Sequence, residues 1–213
     1  MKKYITLYLV VLLTLVSLGF YTISKTVVFP TVFSNYSLTI NFLERISGVF
    51  IFTLLFIQIM LGAYMKKLSP KFGGWIDKVH ATQGPIIYIL AVIHPFFLLI
   101  FNFKVFHTVD PFYIYTQVCF LCKNKFELLY TFGRLGIWFL TIGIFAALFK
   151  NSDKWMKTNW KKLHIVNYFV FFFVAVHGYF LGSDFKIFPL NYLFYASVIT
   201  IFSTILLKLV KKI

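Results

Sequence analysis

Four of the five histidines fall into two pairs: His80 and His94, 14 residues apart, and His164 and His177, 13 apart. Each pair lies in a long, charge-poor stretch, where an ionisable side chain is costly and by default marks function. At 1.5 Å of rise per residue, the members of a pair are separated by roughly 20 Å along a helix. Two such helices running in the same direction match His80 with His164 at one depth and His94 with His177 at another. Facing imidazoles at a common depth are the ligand set of a bis-histidine haem, whose iron takes one axial nitrogen from each side. A bare metal site built from histidine would instead gather its ligands at a single depth. A lone intramembrane histidine can also do no more than hydrogen-bond a neighbouring helix, and His80 and His164, at helix ends, are open to that reading. Two matched layers favour haem.

The spacings fit this scheme unequally. Fourteen residues fall about 40° short of four whole turns, so His80 and His94 share a face. Thirteen fall about 140° short, which requires a π-bulge or a kink between His164 and His177. Pro85 and Pro95 predict an irregular helix around the first pair.

Other groups stand near these layers. Arg45 and Arg134 enter apolar stretches at the level of His94 and His177, and a guanidinium matches a carboxylate bidentately. Both are candidates to hold the propionates of an outer haem, with snorkelling to the headgroups as the plainer reading. Lys78, Lys161 and Lys162 are the corresponding candidates for an inner haem. Cys119 and Cys122 form a C-x-x-C on the expected outer side. They read either as a structural disulfide or as a dithiol exchanging electrons, and the lack of a thioredoxin-like context favours the structural role. His107, in the same connection, reads as an exposed histidine or as a ligand for an acceptor metal. Phe171, Phe172 and Phe173 fall midway between the two layers.

The elements that must position these residues follow from composition. Hydrophobic residues make up 60% of the 213, charged residues only 13%, and the mean hydropathy is +0.85. That balance belongs to a membrane chain. Six charge-poor segments approach or exceed the ~20 residues needed to cross a bilayer as helix: residues 4–24, 46–65, 79–103, 128–149, 163–183 and 187–207. Unpaired backbone is not tolerated in lipid, so the fold class is all-α, a six-helix transmembrane bundle with haem between helices three and five. The first segment, preceded by Lys2 and Lys3, also resembles a signal peptide. Its length and the absence of a small-x-small cleavage site favour an anchor.

The net charge of +15 is a topology signal rather than a nucleic-acid one. Fourteen of the 21 basic residues fall in alternate connections: Lys2 and Lys3; Lys66, Lys67, Lys71 and Lys78; Lys150, Lys154, Lys157, Lys161 and Lys162; and Lys208, Lys211 and Lys212. The positive-inside rule makes that face cytoplasmic, with both termini inside a plasma or inner membrane and Trp155 and Trp160 in its interfacial belt. The chain reads as one domain. Its longest connection, about residues 102–127, is expected to lie as a lid on the outer surface. No Gly-rich phosphate loop occurs, so flavin has no motif here.

The run Trp160-Lys-Lys-Leu-His164, followed by Tyr168 and His177, resembles the fifth helix of ferric-reductase-like transmembrane domains. His80, Gly84 and His94-Pro95 are similar to their third helix, and Arg45-Ile-Ser-Gly48 to their second. The family comprises the membrane halves of NADPH oxidases and ferric reductases and the haem subunit of the periplasmic methionine sulfoxide reductase system. The resemblance covers spans two to six. It implies a six-helix bundle with one or two haems b ligated by His80, His164, His94 and His177. The flavin and nicotinamide domains of larger members are missing, so electrons must come from a separate flavoprotein, a bound flavin or a quinone. They would leave to an outer acceptor such as ferric iron, oxygen or a partner reductase. The rival reading is a haemless transporter or membrane scaffold with interfacial histidines.

Overall fold

The computed structural model describes the backbone of residues 2–211 and the side chains of residues 5–210. Of the lysines that mark one face in the sequence, Lys212 lies outside the described residues, as do the side chains of Lys2, Lys3 and Lys211. The described chain is helical, with no strand, and six of its helical segments are long and apolar enough to cross a membrane. These are α1 (Lys2–Ser24), α3 (Tyr36–Phe72), α4 (Trp75–Phe106), α6 (Lys125–Leu148), α7 with α8 (Lys154–His164 and Asn167–Leu181) and α9 (Leu190–Lys211). The short α2 (Phe29–Val32) and α5 (Tyr113–Thr116) lie in the connections, and a 3₁₀ turn (Asp184–Lys186) precedes α9.

The helices begin where the sequence supplies caps. Asn35 accepts from the backbone N–H of Ser37 and Leu38 at the start of α3, and Asn124 from Phe126 at the start of α6. Asp153 accepts from Met156 at the start of α7. Such side chains satisfy backbone donors that have no partner within the helix. Helix α3 stops at Gly73, whose φ of 90° suits a residue without a Cβ. Helices α3 and α4 are longer than the apolar runs read from sequence because their polar ends continue as helix beyond the hydrocarbon-length core.

Two local features bear on the histidines. The fifth crossing is not one helix: α7 ends at His164 and α8 begins at Asn167. Across the junction, Val166 donates to the Leu163 carbonyl (3.2 Å), Tyr168 to Ile165 (3.1 Å) and Phe169 to Val166 (2.9 Å). These i to i+3 bonds wind the chain at three residues per turn, adding about 20° per residue and recovering part of the rotation that thirteen α-helical residues lack. The fifth crossing is therefore interrupted just after His164 by a 3₁₀-like step. Helix α4, by contrast, runs unbroken through Pro85 and Pro95, against the expectation of an irregular helix. Side chains meet carbonyls in the turns before the prolines: Gln58 Nε2 donates to His80 O (2.8 Å) and the Tyr115 hydroxyl to Val92 O (2.6 Å). The carbonyls that lose a donor to the prolines are those of Ala81 and Ala91, four residues before each, so these bonds brace the adjacent turns.

Helix α3 is central, packing closely along α4 and also against α1, α8 and α9, while α6 packs along α8. Its Phe52, 1% exposed, meets Phe171 of α8, Phe185 of the 3₁₀ turn and Phe194 of α9 at ring separations of 5.1, 4.8 and 5.4 Å. A second tie is polar: Gln83 of α4 donates to Leu54 O of α3 (2.9 Å) and accepts from the Tyr8 hydroxyl of α1.

Candidate functional site

The histidines project from α4, from the end of α7 and from α8. Among the described residues, α4 and α8 are not closely packed against each other; α3 lines one and α6 the other. Each ring rests where a neighbouring helix has a glycine. A Cβ on Gly62 of α3 would stand 2.9 Å from His80 Cε1, and one on Gly48 of α3 would stand 3.3 Å from His94 Cε1. A Cβ on Gly133 of α6 would stand 2.8 Å from His177 Nδ1. His164 Nδ1 lies 2.9 Å from the carbonyl of Gly143, also on α6. These contacts place His80 and His164 together at the end of the bundle where α9 finishes, and His94 and His177 towards the opposite end.

In three of the rings Nδ1 is held. Ser47 Oγ lies 2.8 Å from His94 Nδ1, Leu129 O 3.0 Å from His177 Nδ1, and Gly143 O 2.9 Å from His164 Nδ1. A carbonyl accepts only from a protonated Nδ1, which fixes the tautomer and leaves Nε2 with its lone pair. This is the arrangement that orients a histidine for a metal through Nε2. The fourth ring, His80, has a buried Nδ1 without a partner.

The His80 and His164 rings are 6.2 Å apart between centroids, at 78° to each other. A metal–imidazole bond of about 2 Å on each side, with about 1.1 Å from ring nitrogen to ring centre, places two axial imidazoles roughly 6 Å apart. Beside them is an open cavity of about 130 Å³, lined by both rings. That volume is below the roughly 300–1,000 Å³ usual for small-molecule and cofactor sites, so the walls must part to admit a larger ligand. Its walls are mostly isoleucines and leucines of α3, α4 and α6, with Gln58, Asn167 and Tyr168 among them; the His80 ring lies over Gly62 and the Gln58 amide over Gly84. Apolar walls and two imidazoles are the chemistry by which a chain would hold a flat macrocycle with a central metal. Among the described residues no group of three or more His, Cys, Asp or Glu side chains is placed to hold a bare metal ion. The donors come in pairs, which suits a metal whose other ligands are supplied by a macrocycle.

The basic residues are arranged differently from the sequence reading. Arg45 is paired with Asp184, through Nε (2.9 Å) and an Nη (2.5 Å), and also donates to Thr26 Oγ1 (2.5 Å). Arg134, buried at 3% exposure, donates to Gln117 O (2.5 Å), lies 3.7 Å from Glu127 and covers the Tyr113 ring at 4.6 Å. Both arginines thus have protein partners, Arg45 in Asp184 and Thr26 and Arg134 in Gln117 and Glu127. Lys78 and Lys162 are exposed, and Lys161 is exposed beside the Trp160 ring (5.7 Å), whose own ring lies 6.0 Å from His164. The cation that does line the cavity is Lys208, hydrogen-bonded to the Tyr168 hydroxyl at 3.1 Å. In the sequence it stands out only by its place three residues before Lys211. The glycine seats had a clearer signal: Gly48 and Gly62 are 14 residues apart, as are His80 and His94.

At the opposite end, residues 107–124 connect α4 to α6 and fold back onto both. Cys119 and Cys122 are joined as a disulfide. The Cys119 N–H donates to Thr131 Oγ1 (2.9 Å), Trp138 Nε1 to Tyr115 O (2.9 Å), and the Tyr113 hydroxyl to Glu127. Burial, and after it the bond to Glu127, pushes the Tyr113 phenol up to about 12. His107 is an exposed left-handed cap at the end of α4. The three phenylalanines of α8 do not form one stack: Phe171 faces Phe52 of α3, while Phe173 stacks on Phe139 of α6 at 5.4 Å. In comparisons with protein-family models, curated proteins and solved structures, nothing matches this chain.

Proposed function

We propose that this chain is a membrane cytochrome that carries electrons across a bilayer through one or two bis-histidine haems b. The observation that carries the reading is the pair of imidazoles, His80 and His164, with ring centroids 6.2 Å apart beside a largely apolar cavity. His94 and His177 are the ligands of a second haem at the other end. The haem supplies one-electron iron chemistry; the chain sets ligation, depth and electrostatics. The positive-inside rule orients the bundle with the His80 and His164 layer towards the cytoplasm of a plasma or inner membrane. Electrons then pass from a cytoplasmic-side flavoprotein, flavin or quinone to an outer acceptor such as ferric iron, oxygen or a partner reductase. The resemblance of the histidine helices to ferric-reductase-like domains supports the same direction.

Visible spectroscopy on the purified protein after haem-replete expression is the test. The expected result is a Soret band that sharpens and shifts on reduction, as for six-coordinate haem b. A protein without that band would be the haemless transporter or scaffold.

A further inference from the structure

Among the lysines whose side chains are described, Lys208 is the one that is not exposed. A lysine near a helix end in a membrane ordinarily extends its ammonium outward to water and headgroups. Lys208 instead turns towards the bundle, donates to the Tyr168 hydroxyl and lines the cavity that holds His80 and His164. No aspartate or glutamate lines that cavity. The ion pairs among the described residues are Arg45 with Asp184 and Arg134 with Glu127, so Lys208 has no protein counter-ion there. A cation facing an apolar cavity without an anion is costly unless a ligand brings one. The phenol accepts from the ammonium and keeps its own proton to donate. Ammonium and phenol together offer two donors to an anion, and a charge-assisted hydrogen bond is the stronger kind.

We propose that Lys208 and Tyr168 form a carboxylate anchor for the ligand held between His80 and His164. This rests on the haem reading, in which the carboxylate is a propionate of the haem nearest the basic face. It replaces Lys78 and Lys161, which are exposed, in that role. A phospholipid phosphate shares the same anionic chemistry and is the competing source.

The experiment uses the purified full chain in nanodiscs of zwitterionic lipid, titrated with haem and with haem dimethyl ester. Metal-free protoporphyrin and its dimethyl ester are titrated in parallel, because they report the anchor without iron ligation. Wild type is expected to bind the diacids about tenfold more tightly than the diesters, the weight of one charge-assisted hydrogen bond. Lys208→Gln loses that preference, Lys208→Arg retains it, and Tyr168→Phe, which keeps the ring, reduces it by about threefold. Equal affinity for diacid and diester in wild type overturns the anchor, even where haem gives a bis-imidazole spectrum. The same holds if Lys208→Gln keeps the preference and instead loses association with anionic phospholipid, which assigns the ammonium to a lipid phosphate. Absence of an imidazole-ligated spectrum with haem, together with a diacid preference for metal-free porphyrin, sinks the haem reading and leaves the anchor standing.

Discussion

The two histidine layers are built from the same parts and finished differently. At the end where His94 and His177 lie, each Nδ1 has a partner, Ser47 or the Leu129 carbonyl. Nearby arginines are consumed by Asp184, Gln117 and Glu127, and a disulfide-bonded connection folds over α4 and α6. At the His80 and His164 end there is a cavity, an unpartnered His80 Nδ1, and two further buried acceptors without partners, Gln58 Oε1 and Asn167 Oδ1. Buried polar atoms without partners are costly, and in native proteins they concentrate where something else binds or reacts. One end is closed by its own protein contacts, while the other is left open to a ligand and carries a lysine. The sequence favours the outer pair because both its histidines lie well inside helices, whereas the cavity lies beside the other pair.

The largest test of that difference is removal of single ligands. If wild type holds two haems by pyridine haemochrome, His164→Ala is expected to lower the count to one and leave the spectrum of the other layer, and His177→Ala to do the converse. Loss of both haems from either substitution would merge the two layers into one site.

The glycine seats come next. Gly133→Ala and Gly62→Ala bring a methyl to within 2.8 and 2.9 Å of a histidine ring, closer than real contacts, so the ring must move. Each is expected to cost its own layer several-fold in haem affinity, consistent with the ~1–3 kcal/mol of overpacking a well-fitted site. Gly48→Ala, at 3.3 Å from His94, should cost less. Haem titration of the three variants gives the order, and an effect of Gly48→Ala as large as that of Gly133→Ala would contradict the geometry.

A smaller effect is expected at Ser47. Its hydroxyl partners His94 Nδ1, and such outer contacts tune a ligand's basicity. Ser47→Ala should shift the potential of the His94 and His177 haem alone by on the order of 20–60 mV, the equivalent of one hydrogen bond for a one-electron couple. A spectroelectrochemical titration in which the other haem moves instead would reassign the serine.

The smallest expected effect is in the lid. The Tyr113 phenol is raised to about 12, so the neutral form is favoured by the fold. The contribution is fully present below the unfolded value of about 10 and is lost as pH rises through about 12. Hydrogen exchange of residues 107–124 should accelerate over that window, and Tyr113→Phe should remove the step. An unchanged step in Tyr113→Phe would place the titration elsewhere.

Much of the fold was legible because lipid leaves the chain few options. Apolar runs of bilayer length had to be helices, and the six segments read from sequence are found as six, their ends displaced where capping by Asn35, Asn124 or Asp153 extends them. The need for a break between His164 and His177 was legible too, since angular arithmetic on a straight helix failed there. Its form was not, because a 3₁₀ step and a π-bulge answer the same arithmetic. The continuity of α4 through Pro85 and Pro95 was misread, and Gln58 and Tyr115 from other segments brace carbonyls in the turns beside those prolines.

By itself, then, the sequence determined the helical class, the six helices long and apolar enough to cross a membrane, and the separation of the histidines along them. All of these depend on composition and on distance along a helix. Which cations serve the cavity was decided only by tertiary structure. Arg45 finds Asp184 139 positions away, and Lys208 finds Tyr168 40 positions away. A charge in a membrane takes whatever partner the packing brings within reach, and linear spacing does not encode that choice. The facing of His80 towards His164 belongs to the same class, because rotation of one helix against another is set by glycine seats such as Gly62, not by periodicity within either helix.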